Sequence, residues 1–201
     1  MATPAVICNG DTSQLSATPA NVVGTAVYAW APATELSSAT IANPTVTLTA
    51  TGAPETVTYT VKVTDANGCT ATDTTFVTVN PEVVINALAD TVINSGTVVP
   101  AKFFTTLLTG GVMTYSWTRT NSDVVTGMDA TGTGNVPGAT LYNNTNTAKT
   151  TTITVTPTFT ANGISCVGAT VSYTITVNPT IVMDTVANQA TMFTIYKISA
   201  F

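Results

Sequence analysis

The chain has 201 residues, 44% of them apolar and only 7% charged, with a net charge of −5 and no histidine. Its five cations, Lys62, Lys102, Arg119, Lys149 and Lys197, are scattered singly, which speaks against the clustered phosphate contacts that nucleic acid requires. The missing histidine removes the commonest general base and the commonest zinc ligand. Apolar residues are interleaved with threonine and never run to the ~18 consecutive positions of a membrane helix, so no membrane insertion is expected.

Residues 1 to 24 hold short strand candidates around Val6-Ile7 and Leu15, broken by Asn9-Gly10-Asp11 and by Pro19-Ala20-Asn21. The opening Met1-Ala2-Thr3-Pro4 has no basic segment followed by an apolar one, so no signal peptide is expected. Tyr28-Ala29-Trp30 places two aromatics on one side of a strand, and the same device returns at Tyr115-Ser116-Trp117. A tryptophan in a central strand of a small sandwich is an expected core anchor, so Trp30 and Trp117, with Tyr28 and Tyr115, are assigned to cores. After an irregular crossing segment, Thr45 to Thr49 alternates as a clean strand.

The stretch from Glu55 to Pro81 reads as a hairpin. Val57, Tyr59, Val61 and Val63 alternate with polar residues, Asp65-Ala66-Asn67-Gly68 turns the chain, and Thr75, Val77 and Val79 return it to Asn80-Pro81. A degraded copy closes the second half. There Ala161-Asn162-Gly163 repeats Ala66-Asn67-Gly68, Cys166 repeats Cys69, and Ile175 to Pro179 repeats Val77 to Pro81. The internal period of about 98 residues, from Pro81 to Pro179, implies an all-β chain of two homologous domains, 1–80 and 81–179.

In the second domain, Glu82-Val83-Val84-Ile85 is expected to be an opening strand. Further strands are expected at Val98 to Leu107, Val112 to Arg119, Thr151 to Thr160 and Ala169 to Val177, with a long Gly- and Asn-rich loop from Gly127 to Asn146 that holds at most one short edge strand. Gly132-Thr133-Gly134 is no phosphate loop, because no lysine follows and no helix is signalled. Residues 180–201 restart the pattern of Glu82-Val83-Val84-Ile85 and are expected to be the extra C-terminal strand of an incomplete third repeat.

Several motifs carry a resemblance. They are Cys8-Asn9-Gly10, Tyr28-Ala29-Trp30-Ala31-Pro32, Ile41-Ala42-Asn43-Pro44, the run from Tyr59 to Cys69, Gly132 to Pro137, and Thr152 to Pro157. Together they resemble the PKD and PKD-like immunoglobulin-fold repeats of Bacteroidota surface proteins, the gliding-motility adhesins and type IX secretion cargo. The resemblance implies two tandem immunoglobulin-like β-sandwich domains and an extracellular, bacterial cell-surface location. The role it implies is that of a structural or adhesive module without catalysis or cofactor. It also implies a disulfide between Cys8 and Cys69. Laid on the first repeat with Cys8 on Ile93, the second has Ile93-Asn94-Ser95-Gly96 where Cys-Asn-Gly would stand, which leaves Cys166 as a free thiol. With no cation or histidine beside it, Cys166 is expected to be a buried hydrophobe rather than a reactive group. Asp-Thr-Val at Asp90-Thr91-Val92 and Asp184-Thr185-Val186 makes Thr91 and Thr185 candidate O-glycan acceptors by the same resemblance.

Asp65, Asn67 and Asp73 supply too few oxygens for Ca²⁺, which takes six to eight, and read as turn chemistry. Three further functions compete with the structural one. Ranked Thr-x-Thr would suit an ice-binding face, surface aromatics would suit a carbohydrate-binding module, and head-to-tail strand donation by residues 180–201 would build a filament from copies of the chain. Expected partners are therefore the chain itself, neighbouring repeats of a longer chain, or surface glycans.

Overall fold

A computed structural model describes residues 1–181, and these are all β, with no helix. The first half contains β1 (Ala2–Thr3), β2 (Val6–Cys8), β3 (Thr12–Leu15), β4 (Val27–Ala31), β5 (Thr45–Thr47), β6 (Glu55–Thr64) and β7 (Thr70–Asn80). They form two sheets, β1-β3-β5 and β2-β7-β6-β4, in which β2 runs parallel to β7. The second half contains β8 (Thr91–Asn94), β9 (Thr97–Val99), β10 (Val112–Arg119), β11 (Val125–Thr126), β12 (Thr131–Thr133), β13 (Ala139–Asn143), β14 (Lys149–Ala161), β15 (Ile164–Val167) and β16 (Val171–Asn178). Its sheets are β12-β10-β14-β16-β8, with β15 also on β14, and β11-β13-β9; β8 runs parallel to β16.

Each half encloses its own core, because alternate residues of both sheets point inward. Leu15, Trp30, Val46, Tyr59 and Val77 fill the first, and Trp117, Leu141, Ile153, Tyr173 and Ile175 the second. Removing the aliphatic members of these sets from water contributes about 1.5–3 kcal/mol each. Trp30 and Trp117 are both buried, while Tyr28 and Tyr115 are half-buried at the core margin. The indole N–H of Trp30 donates to the Ile41 carbonyl at 2.9 Å. Burial without a hydrogen-bond partner pushes the hydroxyls of Tyr59 and Tyr173 up to about 12, with Glu35 adding to the effect at Tyr59. On the outward faces threonine hydroxyls pair across strands, as Thr56 with Thr78 and Thr150 with Thr176, both at 2.9 Å. Polarity without charge keeps these faces wet, which accounts for the low charge content.

Three expectations about the second half are corrected. Glu82 to Ile85 is not a strand: Pro81, Val83 and Ile85 are buried and Glu82 and Val84 exposed, but their backbone joins no ladder. Instead the Glu82 N–H donates to the Ala50 carbonyl at 3.3 Å and the Val84 carbonyl accepts from the Thr106 hydroxyl at 3.2 Å. The period-two burial was readable, but an extended segment that packs Val83 at the junction and Ile85 in the second core shows the same period as a strand. The expected strand from Val98 to Leu107 shrinks to β9, since Pro100 has no N–H to offer a ladder and only Lys102 bridges onward, to Val136. The loop from Gly127 to Asn146 holds two strands, β12 and β13. The donor-strand segment 180–201 shows no strand at Thr180 and Ile181, and its remainder lies outside the described residues.

A candidate functional site at the junction of the two domains

Asn80 ends β7 and opposes Cys8 at the end of β2, so both sit at the pole of the first domain that faces the second. From the other side, the β14–β15 hairpin extends onto that pole. Its two-residue tip, Asn162-Gly163, has φ of 52° and 78°, the left-handed pair of a tight hairpin turn that asparagine and glycine supply at little cost. Behind the tip, Phe159 pairs with Cys166 across the ladder.

The structure bonds Cys8 to Cys166, with Cα atoms 5.6 Å apart, and leaves Cys69 exposed and unpaired. This corrects the expected Cys8–Cys69 bridge and the expected free Cys166. The reason is the length of β7. Cys69 precedes its first residue and Cys8 opposes its last, so the 11 residues of the strand separate them by about 35 Å at 3.2–3.4 Å each. A disulfide tolerates no more than about 7 Å between Cα atoms. The repeat pairing Cys69 with Cys166 was readable, but nothing in a separation of 158 residues announces a bond between domains.

Around the disulfide the junction is well satisfied. The Asn80 side chain, fully buried, donates to the carbonyls of Ala161 at 2.9 Å and Ile164 at 3.3 Å and accepts from the Asn162 amide at 3.2 Å. Val83, Phe159, Ala161 and Cys166 form a small buried cluster, joined by Cys8, Leu108 and Met113. Gly111 and Gly168 permit the close packing: a Cβ at Gly111 would lie 2.4 Å from the Phe159 ring, and one at Gly168 would lie 2.3 Å from the Val83 carbonyl oxygen. A second contact lies nearby, where the Thr109 N–H donates to the Gly52 carbonyl at 2.7 Å.

The other singled-out residues lie away from this junction. Asp65 accepts from the N–H groups of Asn67 and Cys69, both at 2.9 Å, which makes it the organiser of an Asx turn. Asp73 accepts from the Thr74 N–H on the return strand. Among the described residues no three acidic, cysteine or histidine side chains gather as a metal site would need. Thr91 is half-buried at the start of β8, and the neighbouring Asp90 carboxylate is held below its ordinary range by the Thr174 N–H, which donates to it at 2.6 Å. Thr185 lies outside the described residues.

Residues 91–181 match the family model of the PKD-like domain. No curated protein matches the chain. Among solved structures, it is similar to the fibronectin(III)-like modules of Clostridium thermocellum CbhA, at 12% identity over 87% of this chain and 89% of that one, with a TM-score of 0.31. It is also similar to the protocadherin gammaB7 EC3-6 cis-dimer, at 13% identity over 88% of this chain and 47% of that one, with a TM-score of 0.34. The extracellular domain of protocadherin GammaB4 is similar at 15% identity over 87% of this chain and 32% of that one, with a TM-score of 0.31. The chain thus spans about half and a third of the two protocadherin chains. Among the described residues no helix is long and apolar enough to cross a membrane. The PKD-like match and the disulfide agree with an extracellular, non-catalytic structural module.

Proposed function

We propose that the chain is a structural and adhesive module of a bacterial cell-surface or secreted protein, serving as a spacer under tension. The observation that carries this reading is the Cys8–Cys166 disulfide, which closes a loop over most of both domains. Force applied at the two ends passes from residue 8 to residue 166 through the sulfur atoms and bypasses the strands between them. Pulling single molecules by their ends tests it. The oxidised chain should stretch without releasing the 158-residue loop, and reduction should add roughly 520–570 Å of contour length at ~3.3–3.6 Å per residue. Oxidised protein that extends to its full contour length would sink the reading.

A second reading, an ice-binding face, is favoured by one surface. Thr114, Ser116 and Thr118 of β10 stand beside Thr158, Thr156 and Thr154 of β14, and Thr154, Thr152 and Thr150 stand beside Ser172, Thr174 and Thr176 of β16. The ranks repeat at about 6.6 Å along strands and about 4.8 Å across them, without a charge. Freezing-point hysteresis of a dilute solution, lost in Thr154→Arg, supports it; no hysteresis ends it.

A further inference from the structure

The Cys8–Cys166 bond gives one cysteine of each hairpin a counterpart to be compared with. In the first domain Trp30 pairs with Val61, and four residues beyond Val61 stands Asp65, whose N–H donates to the Cys69 carbonyl at 3.0 Å. In the second domain Trp117 pairs with Val155, and four residues beyond Val155 stands Phe159, paired with Cys166. Cys69 and Cys166 thus occupy the same level of the same hairpin. One is bonded to a neighbouring domain, and the other is exposed. Beside Cys69 runs a groove of about 110 Å³ walled by Pro19, Asn21, Val22 and Val63.

The receiving pole can be compared in the same way, and here the register corrects the expected overlay of Cys8 on Ile93. Cys8 opposes Asn80 and Asn94 opposes Asn178, so Asn94 is the counterpart of Cys8. In both domains a glycine at positive φ follows two residues later, Gly10 and Gly96, and its N–H donates to the carbonyl of Leu48 or Leu141. The second domain therefore presents the same pole without the cysteine, and its Asn94 is exposed. A second copy of this chain lacks the thiol that Cys69 would need at that position.

We propose that Cys69 is the docking thiol for another β-sandwich module, one with a cysteine at the position that Cys8 holds in the first domain, and that the two join as Cys8 and Cys166 do. This rests on reading the chain as a structural module in tandem with others. The bond forms by thiol–disulfide exchange. The Cys69 thiolate attacks a small-molecule or protein disulfide and releases one thiol, and the incoming module's thiolate then displaces the second. Two protein thiols are oxidised by two electrons, and one oxidant disulfide is reduced to two thiols.

The test supplies the missing half on the full chain. Asn94→Cys, at an exposed position, is incubated with oxidised glutathione beside a control, Ser116→Cys, exposed on the middle of β10. Docking predicts a ladder of head-to-tail multimers, linked from Cys69 to the introduced cysteine by mass spectrometry. It should form at least about tenfold faster than in the control, because docked ends raise the local thiol concentration. The ladder should vanish in Cys69→Ser/Asn94→Cys. Crosslinking no faster than in the control, or only symmetric Cys69–Cys69 dimers, would overturn the proposal. The pulling experiment above does not involve Cys69, so either result leaves the spacer reading to its own test.

Discussion

In the first domain the position four residues beyond the tryptophan's ladder partner is Asp65; in the second it is Phe159. The aspartate turns its carboxylate onto two N–H groups of its own turn, so the tip is complete by itself and stays in water. The phenylalanine has no exposed surface and belongs to the cluster with Val83 and Cys166, so that hairpin is complete only against its neighbour. A single residue class at one register position thus separates a hairpin that is satisfied without a neighbour from one that buries an apolar side chain against it. The cysteine at the same level is common to both, so a joint at the first hairpin would be held by its disulfide without a buried phenylalanine behind it.

The largest test of this difference is removal of the cysteines. Cys166→Ser should cost up to about 5 kcal/mol, the loop-closure entropy of 158 residues, while Cys69→Ser should stay within about 0.5 kcal/mol of the parent. Guanidinium unfolding under oxidising conditions measures both. Equal losses would mean that the two hairpins are not held differently. Phe159→Ala comes next, at about 3–5 kcal/mol for a fully buried aromatic whose ring packs directly on Gly111. Hydrogen exchange should show the loss centred on β14 and β15, with β6 and β7 unchanged.

Much of the scaffold was legible because alternation is a local signal. Val57, Tyr59, Val61 and Val63 against their threonines gave β6, and the two Tyr-x-Trp pairs marked strands whose tryptophans are buried. The junction was not legible because its parts are remote and read as something else. Val83 and Ile85 alternate like a strand but pack as linker, and Asn80 looks like a strand stop before proline although it is the most connected polar group between the domains. Cys8 resembled one half of a bridge within its own domain, and only the length of β7 shows that Cys69 stands at the opposite pole. Register, which fixes poles, depends on pairing and not on sequence order.

The smallest effect is expected at Asp65. Its carboxylate accepts from the N–H groups of Asn67 and Cys69 in an exposed turn, where water replaces a lost partner, so Asp65→Ala should cost only about 1 kcal/mol. Asp65→Asn keeps an acceptor oxygen in the same place and should cost less than the alanine. The turn also has Gly68 at φ of 84°, which independently holds the reversal, so the hairpin should loosen and not unfold. Amide exchange at Asn67 and Cys69 should rise in Asp65→Ala, while exchange at Ala161 and Ile164, in the second hairpin, should not move. If the alanine variant instead destabilises the first domain as much as Phe159→Ala destabilises the second, then Asp65 anchors its hairpin through contacts beyond the turn. The contrast between a self-sufficient tip and a docked one would then fail.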